Sequence, residues 1–224
     1  MSKNAKGILG QQVGKVGPVV ARLFRGMNVY AAYQPVVANP KTEGQTIHRM
    51  IFKAVSVLAH GFGCGARIGF LTFAKGTKLS PRNWFQKTNF GTVTASGTAT
   101  LNIDFTSMKV ARGGLYGANF DVLDFDTPSV VAVDFSRANA PACQCTANDK
   151  VYLYVYSPDL NTGILSQAVA TTASTVTVNV PAAWNGLKVH AWGFVRNEGQ
   201  ADEEKGIAAG ECSDSEYLGT GNIG

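Results

Sequence analysis

The sequence predicts a mainly β protein of the α+β kind: an N-terminal β-hairpin and two helices, then an antiparallel immunoglobulin-like β-sandwich. Three observations predict it. From residue 91 onward the chain breaks into seven or more short runs rich in Val, Thr, Tyr and Phe, with turn residues between them, which is the grammar of a sandwich. One of these runs, KVYLYVYS, alternates almost without exception, placing Tyr152, Tyr154 and Tyr156 on one side and Val151, Leu153 and Val155 on the other; side chains of a strand point alternately to its two faces. The clearest helical period lies earlier, where Ile47, Met50, Ile51, Ala54, Val55 and Leu58 form one apolar stripe.

Taken in order, the first 38 residues read as two strands, about 16–24 and 27–33, joined at Arg25-Gly26. A glycine at a hairpin tip accepts positive φ at little cost. Asn39-Pro40 is a turn signal, since the residue before proline is pushed out of the helical region. Thr42 with Gln45 three residues on then forms a capping box, and Glu43 complements the helix dipole. Gly61, Gly63 and Gly65 are expected to stop that helix. The segment IGFLTFAKGTKL is ambiguous between helix and strand. SPRNWFQKTNF predicts a second helix, with Ser80 as N-cap and Pro81 at the tolerated first position. After it, TVTASGTATLNIDF turns at Ser96-Gly97, and ANFDVLDFD, SVVAVDFS, GILSQAVATT, STVTVNVP, LKVHAWGFVR and DSEYLG supply further strands. The tyrosine row of KVYLYVYS is expected on an outer sheet face or at a subunit contact.

The net charge of +5 conceals a division. Residues 1–90 carry 13 Lys and Arg against one acidic residue, Glu43, whereas residues 91–224 carry 7 basic and 14 acidic residues. The chain is therefore expected to comprise a basic region over 1–90 and an acidic sandwich domain over 91–224. The basic part faces something anionic, or the two halves neutralise each other within one chain or between neighbouring subunits. Arg22, Arg25, Arg49, Lys53, Arg67 and Arg82 are the residues proposed for partner or phosphate contact, with Phe24, Tyr30 and Trp84 interleaved among the basic side chains. No secretory signal is read at the start, and no run of about 18 apolar residues suggests a membrane span.

No reaction is legible in the residues. GQQVGKV misses the phosphate-loop spacing and has Val16 where a magnesium-binding hydroxyl belongs. GFGCGARIG follows a helix rather than a strand and breaks the dinucleotide fingerprint. His48, His60 and His190 are not spaced as metal ligands, and Cys64, Cys143, Cys145 and Cys212 match neither a disulfide framework nor a zinc site. Cys64 with His60 lacks an orienting carboxylate. Asp121, Asp124 and Asp126 lack the glycine and glutamate of a calcium loop. The acidic stretch EGQADEEK, 198–205, reads as a solvated loop or as the acidic partner of a neighbour's basic patch. No cofactor and no small-molecule substrate are expected.

The N-terminal pattern nevertheless resembles that of a known family. Gly14-Lys15-Val16-Gly17, Arg25-Gly26, Asn39-Pro40-Lys41-Thr42, Gln45, Arg49 and Phe52 resemble the motif of an uncharacterised domain-of-unknown-function family of Bacteroidetes and of their tailed phages and prophages. The close, with Ser213, Ser215 and Tyr217, is similar to that family's ending. The resemblance brings no catalytic residue; it implies a phage-related context. Together with the charge division it leads to the expectation of a non-enzymatic structural protein of a virion, in a head, neck, tail or fibre. Such a protein would be made in the host cytoplasm and assemble with itself or other virion proteins. Two alternatives stand beside it: a nucleic-acid-binding protein gripping through the basic half, and a surface or adhesion module.

Overall fold

The computed structural model describes residues 13–24, 26–36, 41–98 and 100–224, and the chain divides into two compact units at Thr42/Glu43. The first unit is an antiparallel sheet of β1 (Gly14–Val16), β2 (Val19–Phe24) and β3 (Met27–Ala32) in that order. The single strand expected over 16–24 is in fact interrupted. Gly17 takes a φ of +57° and Pro18 has no N–H to give a ladder, so the chain turns there and β1 folds back on β2. Register puts Val16, Val19, Leu23 and Tyr30 on one face and Lys15 and Arg22 on the other. Of the described residues of this unit only Ala21 is buried.

The second unit begins with helix α1 (Glu43–Gly61), directly after Thr42, followed by α2 (Gly63–Gly69), α3 (Leu71–Ala74) and α4 (Pro81–Asn89). Strands β4 (Val93–Ser96) and β5 (Thr100–Ile103) form the hairpin expected at Ser96-Gly97. The remaining strands are β6 (Asn119–Asp124), β7 (Val130–Ser136), β8 (Asp149–Ser157), β9 (Thr162–Leu165), β10 (Val169–Ala170), β11 (Thr175–Asn179), β12 (Lys188–Asn197) and β13 (Glu216–Asn222). They make two antiparallel sheets. One runs β10-β8-β12-β13 with β9 also on β8, and the other runs β11-β7-β6. The architecture is thus mainly β with a helical layer.

Two apolar cores lie on opposite faces of the central pair β8–β12. Val151, Leu153, Val155, Val189, Ala191 and Val195 pack with Val131, Val133, Val176 and Val178 of the smaller sheet. Tyr152, Tyr154, Tyr156, Trp192 and Phe194 pack with Val55, Leu58, Phe62, Phe70 and Phe85 of the helices. The tyrosine row is therefore neither an outer face nor a subunit contact; the helices cover it. Alternation alone distinguishes the two faces of a strand but not what lies on each, and tyrosine suits a covered face when its hydroxyl finds a partner. Each does: Tyr154 donates to the carbonyl of Gly61 at 3.3 Å, Tyr156 to Asn161 Oδ1 at 2.8 Å and Tyr152 to Glu198 Oε1 at 2.6 Å. Phe62 centres this core, stacked on Tyr156 at 4.2 Å and within 5.5 Å of Phe85, Tyr154 and Trp192.

The glycines after α1 do something other than stop a helix. Only Gly61 ends one; after Phe62 the chain continues as α2, with Gly63 and Gly65 inside it, and IGFLTFAKGTKL runs from α2 into α3. A Cβ on Gly65 would sit 2.8 Å from the Tyr154 ring, and one on Gly69 would press into the backbone of Val110 and Ala111. These glycines let α2 lie against the sheet and the 108–111 segment without an intervening side chain, which offsets their poor helix propensity of about 1 kcal/mol each. Gly69→Ala is expected to destabilise by about 1–3 kcal/mol through overpacking against backbone, measured by urea unfolding against the unchanged wild-type slope.

Because the helices share a core with the sheet, the boundary expected at 90/91 falls inside the second unit, and the charge division does not coincide with the division at Thr42/Glu43. Ser80 caps α4 as predicted, accepting the N–H of Asn83 at 3.2 Å.

Candidate partner interface

The outward face of the helical layer carries most of the proposed contact residues. Arg49 and Lys53 are exposed one turn apart on α1, with the exposed Phe52 beside them. Arg67 lies exposed in the last turn of α2 and Arg82 in the first turn of α4. The structure brings Arg67 and Arg82 together: both line a hollow of about 450 Å³ whose floor includes Ala59, Ala66 and Leu71, with His60 on its wall. Lys53 lines a different hollow of about 410 Å³, with Met50, Val57, Leu101 and Phe105. Arg22 belongs to the N-terminal unit, on the face that also carries Lys15. Arg25, Asn39 and Pro40 lie outside the described residues. Thr42 immediately precedes α1 and Gln45 is exposed in its first turn, where the capping box was placed.

Sequence reasoning missed how α4 is held. Arg82 donates through Nη2 to the carbonyl of Ser56 at 3.2 Å, and Gln86 Nε2 donates to Ser56 Oγ at 3.2 Å. The i, i+4 spacing of Arg82 and Gln86 on α4 was the available signal. The floor of the hollow was also illegible, since Ala59, Ala66 and Leu71 come from two helices and a third short one.

Among the described residues no ion pair crosses the charge division. The ion pairs between described residues are Arg137–Asp149, Arg196–Glu198 and Lys205–Asp202, and all three lie within 91–224. On the acidic side, Asp202 and Ile207 exchange backbone hydrogen bonds of 2.8 and 2.9 Å and so close a tight loop. Gly206 completes it at a φ of +67°. Lys205 donates to the carbonyl of Cys145 at 3.0 Å, which ties the loop to the body. Glu203 and Glu204 are exposed at its tip.

Burial shifts several titratable groups of the interior toward their neutral forms. Burial pushes the phenols of Tyr152 and Tyr156 up to about 12, and that of Tyr154 well above its ordinary value. It does the same to the thiol of Cys212, at about 12. Burial, helped by Lys188, lowers the imidazole of His190 to about 4. His190 is neutral at physiological pH, stacked on Phe105 at 4.2 Å, with Nδ1 hydrogen-bonded to the Tyr217 hydroxyl at 2.9 Å. His48 packs near Phe90, and the thiol of Cys64 points to the carbonyl of Gly163 at 3.2 Å. Among the described residues no group of three or more His, Cys, Asp or Glu is placed to hold a metal ion. The carboxylate of Asp124 accepts the N–H of Asp126 at 2.8 Å, a turn rather than a ligand set. Among the described residues no helix is long and apolar enough to cross a membrane.

The C-terminal motif residues have structural work. Ser215 Oγ accepts the N–H of Val110 at 2.8 Å and Ser213 Oγ that of Val195 at 2.9 Å, so this segment bonds both the 108–111 stretch and β12. Tyr217 completes the set through His190. No curated protein matches the chain. A family model does, over residues 10–205, a span that includes the N-terminal strands, all four helices and the chain through β12. The chain belongs to that family, one described as of unknown function, DUF6266.

Proposed function

We propose that the protein is a non-enzymatic structural component of a bacteriophage virion, in a head, neck, tail or fibre, that assembles through its basic N-terminal region. The observation that carries this reading is the charge division. Residues 1–90 hold 13 basic side chains and one acid, the ion pairs among the described residues lie within 91–224, and Lys53, Arg67 and Arg82 are exposed. A surface built this way meets an anionic surface on another molecule. The resemblance of the N-terminal motif to that of a family of Bacteroidetes and their phages supplies the context. The immunoglobulin-like character of the β-structure belongs to the same proposal, supported by two antiparallel sheets around an alternating apolar core. Mass spectrometry of purified virions from a phage or prophage encoding the chain is expected to find it at stoichiometric abundance. A virion without it overturns the proposal.

A second reading, nucleic-acid binding, is favoured by Lys15 and Arg22 sharing one face of the N-terminal sheet, where Lys15 also lies 3.4 Å from the centre of the Tyr33 ring. It predicts DNA affinity that falls steeply with salt, because each phosphate contact releases counterions. Arg49→Glu/Lys53→Glu is expected to abolish such binding; retained affinity in a filter or gel-shift titration removes both residues from the interface.

A further inference from the structure

We propose that the hollow between α2 and α4 is the socket for the Glu203-Glu204 tip of a second copy of this chain, so that copies join head to tail. The inference rests on the assembly reading above and names its partner.

The socket has the chemistry of an acidic segment's receptor. It offers about 450 Å³ of space over Ala59, Ala66 and Leu71, walled by the guanidinium side chains of Arg67 and Arg82 and the imidazole of His60. Arg67 has no ion-pair partner among the described residues, and Arg82 uses one nitrogen, Nη2, on the carbonyl of Ser56. That anchor fixes the position of Arg82 while leaving its other donors for a carboxylate, and guanidinium suits carboxylate in a planar two-point pairing. The apolar floor suits the methylene stems of glutamate side chains.

The plug matches it in number and in rigidity. Glu203 and Glu204 are exposed and have no ion pair among the described residues, unlike their neighbour Asp202, which lies 3.5 Å from Lys205. Two carboxylates thus stand opposite two guanidiniums. The backbone exchange between Asp202 and Ile207, the turn bond from the N–H of Gly206 to the carbonyl of Glu203 at 3.3 Å and the tether of Lys205 to Cys145 hold the tip in place before any partner arrives. A segment ordered in advance spends little conformational entropy on docking.

Socket and plug are different surfaces of the same chain, so the contact is heterologous. Each docking leaves one free socket and one free plug, and successive copies form a closed ring or an open filament according to the rotation between them. The shape of assembly expected of a neck or tail component follows from that asymmetry.

The test is sedimentation velocity of the full chain over a concentration series at low and high salt. Wild type is expected to form a ladder of species at low salt that dissolves as salt rises. Arg67→Glu/Arg82→Glu and, separately, Glu203→Lys/Glu204→Lys each weaken association by about 30-fold or more. Circular dichroism is expected to be unchanged in both. Mixing the two variants restores association, because each reversed patch meets its reversed complement. A wild type monomeric throughout, a tip variant that assembles like wild type, or a mixture that stays monomeric overturns the socket. Loss of DNA binding in the socket variant, with the tip variant assembling normally, would assign the hollow to phosphate instead and likewise overturn it. A wild-type monomer recovered in virions would sink the socket and leave the structural role standing. Salt-sensitive assembly through these residues with no trace in virions would do the reverse.

Discussion

Arg137→Ala is expected to cost about 3–5 kcal/mol of stability, the loss typical of breaking a buried ion pair from one side. Arg137 Nη1 lies 2.5 Å from Asp149 Oδ2, with side-chain exposures of 5% and 0%. Its other nitrogens donate to the carbonyls of Tyr116 at 2.7 Å and Gly117 at 3.3 Å, while Asp149 also accepts the N–H and hydroxyl of Thr146 at 2.9 and 2.6 Å. Truncation therefore strands a buried carboxylate and two carbonyls together, and the penalty of unpaired buried groups exceeds the net worth of the bonds themselves. Arg137→Lys is expected to fall between wild type and alanine, because an ammonium cannot reach three acceptors along a planar fork. Adding Asp149→Ala to Arg137→Ala should cost less than the sum of the two single losses, the signature of direct coupling in a double-mutant cycle. Urea unfolding decides the matter; a loss below about 1 kcal/mol would place the pair with ordinary surface salt bridges.

Residues 91–224 expressed alone are expected to yield no cooperatively folding protein, whereas residues 43–224 fold as a unit. Removing the helices uncovers Tyr152, Tyr154, Tyr156, Trp192 and Phe194 on one face of the central strands. Truncating a single such aromatic typically costs about 3–5 kcal/mol, and whole-domain stabilities are about 5–15 kcal/mol. Uncovering the face leaves the sheet with one core instead of two. A sharp thermal transition for the 91–224 fragment, with dispersed amide resonances, would show that the helices only decorate the sheet.

Legibility in the sequence followed the range over which each signal acts. The second helix was readable because Ser80, Pro81 and Asn83 settle their geometry within one turn. The strands of the second unit were readable because a period of two needs only a few residues. The fate of the tyrosine row was not, since what covers Tyr154 is Phe62, about ninety residues away, and no local pattern encodes that meeting. The glycines after α1 misled for a related reason. A glycine that ends a helix and one that admits a neighbour look alike until Tyr154 and Val110 are found beside Gly65. At the candidate interface the sequence indicated sign but not arrangement. It marked Arg67 and Arg82 as basic without showing that 15 residues of separation collapse into one hollow.

The position of β12 in the chain has a consequence for synthesis. β8 needs β12 as its neighbour to complete either core, yet Trp192 lies 36 residues beyond Tyr156. While the ribosome adds those residues at roughly 5–20 per second, a nascent chain has made its helices and its aromatic strand but not the strand that seals them. For a few seconds the row of rings has half its cover and one unpaired edge. Because the exit tunnel hides the residues most recently added, slowing translation once β8 has emerged but β12 has not should lengthen that window and raise aggregation, while the same pause after both have emerged should not.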